Sequence, residues 1–171
     1  MSAPLDPAAS DDPSEALIEK HGGGAPHSKL SLRLWLRLLS CSTVIEKRIR
    51  QKLIDDFDTT LPRFDVMATL ARAPDGLTMG ELSTLLLVSG GNVTTVVSRL
   101  IDDGYVERIV NEADRRSITV RLTPRGARDF AAMAAAHEAW VEQYLSGVSD
   151  AEIEALLEGL GRVRASVERN K

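Results

Sequence analysis

Apolar residues recur every three or four positions from Leu30 to about Phe57, at Leu34, Leu38, Cys41, Ile45 and Ile49, with no Pro or Gly interrupting. That period predicts one long amphipathic helix. A second helical pattern starts at Pro62, a residue suited to a first helical position, and stops before the turn from Ala73 to Gly76. Thr78 and Glu81 have capping-box spacing, and Leu77 and Leu82 stand where a hydrophobic staple would be, so a short helix is expected to end near Leu87. Ser89 then fits an N-cap and Gly104 a C-terminal stop. The helix between them, from about Gly90 to Asp103, sets Val93, Val96, Val97, Leu100 and Ile101 on one side. Asn92, Thr95 and Arg99 line the other, with Thr94 and Ser98 flanking.

The period then changes. Val106, Arg108 and Val110 alternate with Tyr105, Glu107 and Ile109, and beyond a polar loop Ile118, Val120 and Leu122 alternate with Thr119 and Arg121. Period two on both sides of a loop predicts a β-hairpin. Thr123-Pro124 restarts a helix that runs to about Ser146, and a second capping box, Ser149 with Glu152, opens a last one. The resulting fold class is mainly α with a small β-hairpin: a winged helix-turn-helix with long flanking dimerisation helices. Residues 1–28, rich in Pro, Gly, Ser and Asp, are expected to form a disordered tail. Residues 29–60 form a dimerisation helix, 61–123 the winged domain and 124–171 the C-terminal dimerisation helices. The long helices carry more apolar surface than so small a module covers, so a homodimer is expected.

Composition narrows the class. With 43% hydrophobic and 27% charged residues the chain reads as an ordinary globular protein. One cysteine among 171 residues excludes an internal disulfide and favours a reducing, cytoplasmic setting. No apolar run approaches a membrane span, and a signal peptide's basic start and apolar centre are missing. Three histidines, two of them in the expected tail, and no nucleophile motif or glycine-rich phosphate loop argue against an enzyme, a cofactor or a metal site. A net charge of -4 argues against indiscriminate nucleic-acid coating, but seven arginines face five acids between Arg99 and Arg128. That local sign reversal suits a DNA-facing surface.

The helix from Gly90 would enter a major groove. Asn92 can pair with adenine, Arg99 with guanine or a phosphate, and Thr95 with a thymine methyl. Ser89, Gly91, Thr94 and Ser98 complete that face, with Gly90 and Gly91 leaving room for close backbone approach. Arg115 and Arg116 at the hairpin tip can reach a minor groove, and Asp114 would hold an arginine or the tip backbone in place. The bland alternatives are a surface helix facing water and a solvated charged loop. Asp102 and Asp103 fit neither reading, since an acid is unfavourable both at a helix C-terminus and beside DNA.

The stretch "LTMGELSTLLLVSGGNVTTVVSRLIDDGYVERIVNEADRRSITVRLTPRG", Leu77 to Gly126, resembles the MarR family of bacterial transcriptional regulators. The likeness lies in the capped short helix, "NVTTVVSRL" followed by an acidic pair and "GYVER", "DRR" in the wing, and "LTPRG". It implies a homodimer, joined through the first and last two helices, on a pseudo-palindromic double-stranded operator. Arg116 is the expected minor-groove residue and Asp114 its orienter. The "GGNV" entry is poorer in polar side chains than in many relatives.

The family usually releases DNA when a small aromatic or anionic molecule binds. Arg33 and Arg37 stand four apart in an apolar run beside Trp35, and Arg63 and His137 add to a set that could hold an aromatic ring and an anionic tail. Segments "RLWLRLL", "TLPRFDVMA" and "HEAW" are similar to a branch linked to aromatic-acid catabolism, some of whose members respond to hydroxycinnamoyl-CoA thioesters. The alternatives are a free phenolic acid, arginines that meet solvent or acids across the dimer, and peroxide sensing through Cys41. For Cys41 the apolar stripe favours a buried core position. A winged helix that binds protein instead of DNA is the other function class.

Overall fold

A computed structural model describes residues 26–86, 93–110 and 118–170. The chain divides into two compact units, Met1–Arg48 and Ile49–Lys171. Helix α1 spans Pro26–Phe57, α2 Leu61–Ala71, strand β1 Leu77–Thr78, α3 Met79–Leu85 and α4 Val93–Asp102. Strands β2, Val106–Val110, and β3, Ile118–Leu122, follow, then α5, Pro124–Leu145, and α6, Asp150–Arg169. Helix α1 thus begins earlier than the apolar period suggests, since Pro26 suits a first helical position and the polar residues behind it tolerate a helix.

In the first unit the described residues are helical and largely exposed, including Trp35 at 59%. Cys41 is exposed as well, which corrects its expected place in the core. Of the apolar stripe on which it lies, Leu34 is exposed, Leu38 and Ile45 are half-buried, and Ile49, in the second unit, is buried.

The second unit has a true core. Leu53, Val66, Met67, Leu70, Leu82, Leu100, Val106 and Val120 are all nearly inaccessible to solvent. The sheet has the order β1-β3-β2 and is antiparallel throughout. Val106 pairs with Leu122 and Arg108 with Val120, so the two strands of the expected hairpin pair. The third strand is a finding beyond the hairpin. Leu77 and Thr78 pair with Val120 and Thr119, a ladder too short to show a period in the sequence.

Both capping boxes form. The Thr78 backbone N–H and hydroxyl donate to the Glu81 carboxylate at 2.8 Å each, holding that group below its ordinary pKa. The Ser149 hydroxyl donates to Glu152 at 2.6 Å and its backbone N–H at 2.9 Å, with the same effect. Thr123 caps α5 by accepting from the Gly126 N–H. Such caps contribute about 1 kcal/mol each.

Phe64 of α2 stacks on His137 of α5 with ring centroids 5.0 Å apart, and Phe130 lies 5.6 Å from Phe64. Burial disfavours the charged imidazole, so the pKa of His137 falls below its ordinary 6.5. The folded chain therefore binds fewer protons than the unfolded chain below that value. His137 contributes stability present above about pH 6.5 and lost as pH falls towards its folded pKa. Urea midpoints measured from about pH 7.5 down to 5.5 are expected to fall more steeply for wild type than for His137→Gln. Equal slopes would remove His137 from the acid response.

Candidate nucleic-acid interface

Helix α4 is amphipathic in the expected sense. Val97 and Leu100 are buried, while Thr94, Thr95 and Arg99 are exposed and Ser98 is half-buried. The helix stops at Gly104, which adopts φ +76, a left-handed conformation that costs glycine little. The Tyr105 N–H donates to the Leu100 carbonyl at 2.9 Å and the Gly104 N–H to that of Ile101 at 2.9 Å. These two bonds make a Schellman closure and place β2 directly after the helix. Ser89, Gly90, Gly91 and Asn92, expected at the helix entry, lie outside the described residues. So do Asp114, Arg115 and Arg116, expected at the wing tip.

On the wing's described part, the Arg121 guanidinium donates to Glu107 across the strand pair at 2.8 Å. Arg121 is thus held near the sheet, not extended. Arg108 is exposed on the other face of the same ladder.

The C-terminal end of α4 shows what the acidic pair does. The Arg63 guanidinium, in the first turn of α2, meets the Asp103 carboxylate at 2.7 Å. From the start of α5, Arg125 donates to the Asp103 carbonyl at 3.1 Å and to the Tyr105 hydroxyl at 3.3 Å. Its guanidinium lies 4.6 Å from the Tyr105 ring centroid, and that of Arg63 lies 5.7 Å away. Neither Asp103 nor Arg125 was singled out as functional by sequence reasoning, because the partners are distant in the chain. The unfavourable end charge on α4 was the one signal.

Arg63 borders two hollows. One, of about 640 Å³, lies between the α1–α2 link and the Thr95–Arg99 flank of α4; the other, of about 290 Å³, reaches Met133 of α5. Of the residues expected to bind a ligand, Arg63 therefore lines both, and His137 packs on Phe64. Arg33, Trp35 and Arg37 are exposed in the first unit. Among the described residues no cluster of His, Cys, Asp and Glu could hold a metal ion, and no helix is long and apolar enough to cross a membrane.

A model of the MarR family matches residues 57–117. The HTH-type transcriptional regulator PecS of Dickeya dadantii is 25% identical over 91% of this chain and 95% of its own. The crystal structure of FabT from Streptococcus pneumoniae in complex with DNA matches at a TM-score of 0.67 and 28% identity, over 81% of this chain and 98% of that one. A MarR family transcriptional regulator from Silicibacter pomeroyi has a crystal structure that matches at a TM-score of 0.72 and 33% identity. That match spans 86% of this chain and 100% of the other. This chain belongs to the MarR family of transcriptional regulators.

Proposed function

We propose that the protein is a homodimeric repressor that binds a pseudo-palindromic DNA operator and leaves it when a small aromatic effector binds. The outward face of α4 is the observation that carries the DNA reading: exposed Thr94, Thr95 and Arg99 over a buried Val97 and Leu100. FabT, solved on DNA, has the same fold and supports it. Ser89, Gly91, Asn92 and Ser98 complete the major-groove face, Arg115 and Arg116 reach the adjacent minor groove, and Asp114 orients the wing tip. Residues 124–171 supply dimerisation helices, because α6 buries none of its own residues within the chain.

The effector we propose is an aromatic acyl-CoA such as a hydroxycinnamoyl-CoA, which places the protein in control of aromatic-acid catabolism. Arg33 and Arg37 offer charges for its phosphates and Trp35 an aromatic wall. Arg63 and His137 are the candidates in the second unit. Release follows from population shift: the effector favours a dimer geometry in which the two α4 helices no longer match their half-sites. The exposure of Cys41 supports a second reading, peroxide sensing, in which a native-state thiol reagent labels Cys41 and oxidation releases DNA.

Fluorescence anisotropy of a labelled duplex from upstream of the protein's own gene tests this reading. A dimer touching about 6–10 phosphates loses roughly three to five orders of magnitude in affinity between about 50 and 200 mM salt. Arg116→Ala is expected to weaken binding at fixed salt and to leave dimerisation unchanged; unaltered affinity would remove the wing arginine from the interface. p-Coumaroyl-CoA added to the complex is expected to release the duplex, whereas free p-coumarate and CoA are not. A complex that ignores all three retires the acyl-CoA effector.

A further inference from the structure

We infer that Arg63 is a positioning residue for DNA recognition, acting through Asp103 to set the angle of α4. The inference rests on the DNA-binding role proposed for that helix.

Each partner is badly placed for its own helix. Arg63 puts a cation in the first turn of α2, against the positive end of the helix dipole. Asp103 puts an anion just beyond the last turn of α4, against the negative end. Neither charge helps the element that carries it, yet the two meet at 2.7 Å. The Arg63 side chain is only 20% exposed, and its Nε is buried without a hydrogen-bond partner. Holding it there carries a desolvation cost, which the pair with Asp103 offsets.

Helix α4 needs such a fastening. Val97 and Leu100 anchor its inner side and fix its depth. Ridge-into-groove packing sets a preferred crossing angle with a scatter of about 15–20°, and a directional contact narrows it. On the flank of Thr95 and Arg99 the helix borders the hollow of about 640 Å³. Arg63 spans the rim of that hollow to the Asp103 carboxylate, and Arg125 grips the Asp103 carbonyl from the other direction. Side chain and backbone of one residue are thereby tied to α2 and α5. The exposed face proposed to meet DNA, Thr94, Thr95 and Arg99, lies N-terminal to Asp103 on the same helix, so a small change of tilt at the fastened end moves it.

The partners sit in different elements, so a charge exchange can separate positioning from simple stabilisation. Binding of the upstream duplex and of a scrambled duplex of equal length is compared at one salt concentration. The proteins are wild type, Arg63→Gln, Asp103→Asn, the double variant Arg63→Gln/Asp103→Asn and the exchange Arg63→Asp/Asp103→Arg. Urea midpoints of all five are measured alongside. Arg63→Gln and Asp103→Asn are each expected to weaken upstream-duplex binding about tenfold, with the double variant no worse than either. Scrambled-duplex affinity changes by less than about twofold, because Arg63 is engaged with Asp103 and not with phosphates. The exchange recovers most of the discrimination.

Upstream affinity unchanged in Arg63→Gln overturns the inference. So does a loss shared equally by both duplexes and tracking the urea midpoint, since that is a folding defect. A wild-type chain that binds both duplexes alike overturns the DNA-recognition reading first, and this inference with it.

Discussion

Gly126→Ala is expected to cost on the order of 3 kcal/mol or more and to leave much of the chain unfolded at moderate temperature. Gly126 lies in the first turn of α5, where the helix passes directly over the start of β2. A methyl group there would stand 2.0 Å from the Tyr105 carbonyl oxygen and 2.9 Å from its carbon. Those are backbone atoms, and they cannot swing aside as a flexible side chain can. The Tyr105 carbonyl also accepts from the Thr123 N–H at 3.0 Å, so moving it breaks the junction between strand and helix. The same displacement disturbs Arg125, whose hydrogen bonds hold the end of α4. Gly80→Ala is the control, since nothing lies within 4 Å of a methyl group there and the site is exposed. It is expected to be neutral or to stabilise by up to about 1 kcal/mol, because alanine loses less backbone entropy than glycine in a helix. Urea titrations of the two variants against wild type make the comparison. A Gly126→Ala midpoint equal to that of Gly80→Ala would mean that α5 has room to lift away from β2.

This contact explains why "LTPRG" carries meaning beyond its role as a helix start. Thr123 and Pro124 announce the helix locally, and that was legible: cap, Pro and apolar period all lie within a few residues. Both capping boxes were legible for the same reason, as was the stop at Gly104. The close approach at Gly126 was not, because a glycine's missing side chain does not say which distant backbone it admits. Strand β1 escaped notice since two residues hold no period. The Arg63–Asp103 pair joins elements far apart in the chain, and only the misplaced charge on α4 hinted at it. Cys41 illustrates a different limit. Periodicity identifies a helix face that wants cover, but not whether the cover comes from the same chain. Of the DNA-facing set, Thr94, Thr95, Ser98 and Arg99 could be placed on α4. Asn92, Arg115 and Arg116 rest on residue chemistry and family likeness.

Leu157→Asp is expected to convert the dimer to monomer and to weaken operator binding by on the order of a hundredfold or more. Helix α6 is 20 residues long, begins with a complete capping box, and has no buried residue. Ile153, Leu156, Leu157, Leu160 and Val167 recur at helical spacing, and Leu157 is 65% exposed. In proteins a helix draws most of its stability from packing of its apolar face, and capping alone adds about 1 kcal/mol. Glu158 pairs with Arg162, and Arg164 donates to Glu168 at 3.0 Å. Exposed pairs of this kind contribute at most about 1 kcal/mol each, too little to replace a covered face. A second copy of the chain is the cover we propose, and it also sets the spacing of two α4 helices on adjacent half-sites. A carboxylate at position 157 would have to be buried unpaired in that interface, or the interface must open. Opening it turns one bivalent event into two separate weak ones, so DNA affinity falls although α4 and the wing are untouched. Sedimentation equilibrium reads the mass directly, and anisotropy on the upstream duplex reads the consequence. A wild-type chain that sediments as a monomer, or a Leu157→Asp chain that stays dimeric with full operator affinity, would remove α6 from the dimer interface. Loss of mass without loss of operator affinity would show instead that one winged domain is enough for binding.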